Sequence, residues 1–132
     1  MKKFIIIPII IFSVLACKKT EFSPEGPTDV RVRNLSDFTL SEVIVNTSGG
    51  IDTLGNIVPG MASGYFRFEK AYPKAEISAT INGVTFSTGP VNYTYMQFIG
   101  QDKITYEVYI SNMNNKELTI SNIIVEEPID LK

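Results

Sequence analysis

From about residue 28 to the end of the chain, apolar and polar residues alternate with a period of two, the pattern of strands that bury one face. Val30 and Val32 alternate with Arg31 and Arg33. Ala75, Ile77, Ala79 and Ile81 alternate with Glu76, Ser78 and Thr80; Asn82-Gly83 then supplies a two-residue hairpin turn, and Val84 and Phe86 return. After a turn at 100–103, Ile104, Tyr106, Val108 and Ile110 face one way and Thr105, Glu107 and Tyr109 the other, with segment 93–99 expected as the paired strand. In the last strand Leu118 and Ile120 are apolar at even positions but Ile123 and Val125 at odd ones, which requires a bulge near Ser121-Asn122. Segments 40–47 and 51–57 flank Ser48-Gly49-Gly50 as a second hairpin, and residues 61–64 lead into a short strand at 65–68. About seven or eight short strands, with no amphipathic helix and no internal repeat, predict an all-β fold, a single antiparallel β-sandwich.

The N-terminal pattern is different. Lys2 and Lys3 precede a thirteen-residue apolar stretch, 4–16, interrupted only by Pro8 and Ser13. A helix crossing the hydrocarbon core needs about 20 apolar residues, so this stretch reads as a signal peptide, residues 1–16. Its end, Val14-Leu15-Ala16-Cys17, resembles the bacterial lipobox, where cleavage falls before a cysteine already acylated on sulfur. Cys17 is the single cysteine, so a disulfide within the chain is excluded and lipidation accounts for an otherwise unpaired thiol in an exported chain. One acyl chain holds a membrane only marginally at about 0.8 kcal/mol per buried methylene, whereas the two or three implied by the lipoprotein resemblance hold stably.

Residues 17–27, with Pro24, Gly26, Pro27 and mixed charge, read as the lipidated cysteine and a flexible tether, leaving 28–132 as one domain. Lys18 stands where an aspartate would resemble an inner-membrane retention signal, which favours an outer-membrane address. Lys19 and Glu21 faintly resemble a surface-export signal that Thr20 interrupts, so the periplasmic or outer side stays open.

Charge and composition narrow the chemistry. Without Lys2 and Lys3 the chain has ten basic and fourteen acidic residues, a net charge of −4, and its cations are scattered; nucleic acid is not expected as a partner. Histidine is absent, which removes Ser-His-Asp and Cys-His catalysis and histidine-metal sites. Glu126, Glu127 and Asp130, with Pro128 between them, read as a solvated tail rather than a calcium site. The glycines of 46–55 read as hairpin punctuation, since no lysine of a phosphate loop follows them. No enzyme, cofactor or metal site is expected.

The positions Ser63-x-Tyr65-x-x-Phe68-x-x-Ala71-Tyr72, Ile81-Asn82-Gly83, Pro90-x-x-Tyr93 and Gly100 followed by Thr105-Tyr106 resemble a family of small uncharacterised outer-membrane lipoproteins from Bacteroides-type bacteria. The resemblance implies a lipobox, a short tether and one Ig-like or transthyretin-like sandwich, and brings no activity with it. In such bacteria Asp52-Thr53-Leu54 resembles an acceptor motif for O-glycosylation, with the sugar on Thr53. With six Tyr and eight Phe, exposed aromatics are candidates for contact with a ligand, Tyr95 and Tyr109 foremost, against ordinary cross-strand packing. Two functions follow: a lipid-anchored, non-catalytic binding or adhesion module for a glycan or protein, or an accessory subunit docking on an envelope complex by an open sheet edge.

Overall fold

The alternating segments become strands in a computed structural model that describes residues 26–128, and none of the described residues is helical. The eight strands are β1 (Thr28–Asn34), β2 (Leu40–Asn46), β3 (Ile51–Ile57), β4 (Phe66–Phe68), β5 (Glu76–Ile81), β6 (Val84–Ser87), β7 (Asp102–Asn112) and β8 (Glu117–Pro128). They form one sheet in the order β3-β2-β5-β6-β8-β7-β1-β4. β3, at one end, curls back towards β1 and β4 at the other, so the sheet nearly closes on itself in a barrel-like form. Two four-stranded halves are nevertheless distinct, because β6 and β8 share a single bridge, Ser87↔Glu117.

The expectation of a purely antiparallel sheet is corrected: β1 pairs with β7 in parallel from Asp29↔Lys103 to Asn34↔Val108. Period-two alternation is the same for both pairings, and the long chain between the two strands leaves their relative direction free. The expected strand at 93–99 is also corrected. β7 has both edges occupied, by β1 and by β8, so no edge remains for a third partner. Segment 93–99 is instead a loop with a turn in which Met96 N–H donates to Tyr93 O at 3.0 Å. It is fastened by Ile99 N–H to Ala71 O at 2.7 Å and by Tyr72 against Tyr93, ring centroids 5.0 Å apart.

Other expectations agree with the structure. Asn82 and Gly83 both take positive φ, 50° and 80°, as the tight turn joining β5 to β6 requires. In β8 the register passes from Glu107↔Asn122 to Val108↔Ile120, which leaves Ser121 as the extra residue of a bulge. A second bulge, in β2, has the same origin: Leu40 and Val43 both point inward at odd spacing, and Glu42 between them takes φ 49°. The Glu42 N–H, turned out of the ladder, donates to the Asn56 side-chain oxygen at 3.0 Å.

The core lies between the curled halves and consists of the inward residues of each strand, among them Val30, Val32, Leu40, Val45, Ile77, Ile104, Val108 and Leu118. Tyr106 lies wholly within it and donates its hydroxyl to Tyr72 O; burial pushes that phenol far above its ordinary value. At the chain's entry Gly26 is buried against Glu69, and its carbonyl accepts from the Gln101 side chain at 3.1 Å.

Candidate functional site

The one weak joint in the sheet, between β6 and β8, opens into a groove, and the local sequence explains why. Past Ser87 the chain stays beside β5 for one further residue, Thr88, whose N–H donates to Ile77 O at 2.9 Å. Gly89 then takes φ 80°, and Pro90 has no N–H to offer a ladder. The chain therefore swings away instead of continuing along β8 as a paired strand. Between them lies a cleft of about 650 Å³, walled on one side by residues 118–123 of β8 and on the other by Ala75, Thr88, Pro90, Val91 and Met96.

β8 is consequently an edge strand over most of its length. It pairs with β7 from end to end, yet beyond Glu117 no strand among the described residues pairs with its other side. The core-facing side chains along this edge are left partly uncovered: Ile120 and Ile123 are half-buried and Val125 is 53 % exposed. Residues 118–125 carry no charge and no proline, so apart from the Ser121 bulge the edge lacks the features that usually block strand addition. Lys74, exposed at the mouth, is the only charged lining residue among the described residues.

Around the corner, on the outer face of β4, β1, β7 and β8, the charges are matched in pairs. The outward residues of β1 each meet an opposite charge: Asp29 with Arg67 at 2.8 Å, Arg31 with Glu126 at 2.9 Å and Arg33 with Glu107 at 3.4 Å. Glu126 also accepts from the Thr105 hydroxyl at 3.1 Å and from the Tyr65 hydroxyl. The Tyr65 ring in turn lies 4.8 Å from the Arg31 guanidinium and 5.5 Å from the Lys103 ammonium. The Tyr65 hydrogen bond, more than the aid of Thr105 and Arg31, holds the Glu126 carboxyl below its ordinary range; burial and the same bond push the Tyr65 phenol up. The cluster thus joins β1, β7, β8 and the residue that precedes β4, with Arg31 and Thr105 donating to Glu126 Oε1 and Tyr65 to Oε2. Reading Glu126 as part of a solvated tail is corrected by these contacts: it belongs to β8 because Arg31 and Thr105 sit opposite it. Among the described residues no three acidic or cysteine side chains converge to hold a metal.

Of the residues singled out from sequence, Tyr95 is fully exposed, on the turn next to the groove-lining Met96, with φ 71°. Tyr109 is 38 % exposed on the outer face and lies across the ladder from Thr119, another lining residue. Each is thus adjacent to one lining residue, and neither lines the groove itself. Thr53 is exposed on β3 at the far end of the sheet, opposite Ile44, and has no part in the groove. Cys17 lies outside the described residues. The groove itself was not foreseen. Its signal was Thr88-Gly89-Pro90 directly after an apolar strand, which ends pairing at a point where the following segment has no other strand to join.

No protein-family model matches this chain. No curated protein matches it either. Among solved structures it is similar to the NMR structure of a protein from Eubacterium rectale, with 16 % identity over 77 % of this chain and 95 % of that one at a TM-score of 0.49.

Proposed function

We propose that this chain is a lipid-anchored, non-catalytic binding module of the bacterial outer membrane whose ligand is a protein engaged at the β6–β8 groove. In this reading its two half-sheets are the layers of an Ig-like or transthyretin-like sandwich. The signal peptide is removed before Cys17, acyl chains on Cys17 hold the protein to the membrane, and the tether within residues 17–27 leads to the domain. The observation that carries the reading is the uncharged, unpaired edge of β8 beside a cleft lined with apolar side chains. Such an edge offers main-chain donors and acceptors that a polypeptide satisfies and a sugar does not align with. This favours docking by a sheet edge over stacking of a glycan on Tyr95 and Tyr109, neither of which lines the groove. Thr53, exposed on the far edge, is the proposed site of O-glycosylation, where a bulky sugar keeps β3 hydrated and out of edge-to-edge association. Affinity capture of the tagged, lipidated protein from native membranes tests the reading. A stoichiometric envelope protein is expected among the captured material; polysaccharide without protein contradicts it.

A further inference from the structure

We infer that the groove takes one extended polypeptide segment of another protein, added as a strand to β8 between Thr119 and Val125. The inference rests on the reading that the groove is the contact surface and specifies what enters it. Three features select a single extended segment. First, beyond Glu117 the side of β8 turned away from β7 has no backbone partner among the described residues, and its donors and acceptors need one. Second, the opposite wall, built by Ala75, Thr88, Pro90 and Val91, stands beside that edge and confines the space to about 650 Å³. The edge of a second folded domain would meet that wall, whereas one strand, with its neighbour in the sheet about 4.8 Å away, lies inside it. Third, the exposed flanks of Ile120, Ile123 and Val125 lie on the core side of β8, so alternate residues of the guest that point inward would cover them.

The lining also fixes the chemistry of the guest. Apart from Lys74 it is neutral, so the segment is apolar at every second position and polar between, with an acidic residue where it passes Lys74. Lys74 is exposed and has no carboxylate partner among the described residues. Seven residues of β8 match a guest of about seven residues, roughly 24 Å at 3.4 Å per residue.

Hydrogen exchange tests this with a guest of known sequence. The mature chain, without lipid, is extended after Lys132 by a Gly-Ser linker of about ten residues and the segment Thr-Val-Thr-Val-Thr-Val-Glu, so that the local concentration of guest is in the millimolar range. The β8 amides in 119–125 that do not bond to β7 should exchange about tenfold more slowly than in the unextended chain. Val125→Lys, at an exposed position, places on the edge the charge that natural edges use against strand addition and should abolish the protection with the melting temperature unchanged. Unaltered exchange along β8, or equal protection on the outer edges of β3 and β4, overturns the inference whatever protein the membrane capture recovers. Protection of β8 in the unextended chain together with a dimer-sized mass shows a second copy in the groove and also overturns it.

Discussion

Asn34 ends β1 wholly buried, and its side chain organises two loops at once. Its amide donates to Phe38 O at 2.6 Å and Ile57 O at 2.9 Å, while its carbonyl oxygen accepts from Ser36 N–H at 2.8 Å and from the Ser36 hydroxyl. Removing it takes the side-chain donor from the buried Ile57 carbonyl, whereas Phe38 O keeps the Ser36 hydroxyl at 3.0 Å, so Asn34→Ala should lower the unfolding free energy by about 1–3 kcal/mol, measured by urea titration. Glu126 sets a pH dependence. Its folded pKa lies below its ordinary 4.5, so its contribution is complete above that value and is lost as pH falls through the folded one. The urea midpoint of the native chain should therefore fall between pH 6 and pH 3 by more than that of Glu126→Gln; equal falls would show that the Tyr65–Glu126 contact contributes nothing. In the sequence Arg31 and Arg33 were legible as the outward face of β1, but not their partners. The carboxylates that match them, Glu126 and Glu107, are 95 and 74 residues away and are chosen by register, which alternation does not encode.

At the scale of elements, the phase of β7 was legible because it is central and long: Ile104, Tyr106 and Val108 are all fully buried. Val108→Asp places an unpaired carboxylate in a dry core and should cost about 4 kcal/mol or more. Glu107→Ala removes one outer-face ion pair and should cost no more than about 1 kcal/mol. Thermal melts of the two variants check this, and equal melting temperatures would contradict the assigned faces. The β8 bulge was legible from the switch in apolar parity between Ile120 and Ile123. The same switch between Leu40 and Val43 marked the β2 bulge and was overlooked, since Ile44 and Val45 give that strand apolar residues on both faces. Segment 93–99 misled because Tyr93, Tyr95 and Phe98 supply strand-like composition. What decides its state is the lack of a free edge on β7 and the preceding Pro90, facts of topology more than of propensity.

For the molecule as a whole, alternation predicted the all-β class and marked the eight segments that are strands, with 93–99 wrongly added to them, while the strand order, the parallel β1–β7 pair and the groove came only with the structure. These depend on which edges remain free once the hairpins have formed, and local pattern carries no record of that. The proposed processing is tested by the intact mass of protein purified from its native membrane. The mass should equal residues 17–132 plus a glyceride and acyl chains on Cys17, with a further sugar increment that disappears in Thr53→Ala. A mass without lipid contradicts the anchor, and the absence of the sugar increment contradicts glycosylation separately.

The central claim is that the groove beside β8 is where a protein partner binds, and site-specific photocrosslinking in intact cells tests it most directly. A photoreactive side chain at Asn122, exposed in the groove wall, is compared with the same group at Asn56, exposed on β3 at the far end of the sheet. The account predicts one discrete protein adduct from Asn122 and none from Asn56. No adduct from Asn122, or the same adduct from both positions, would contradict it.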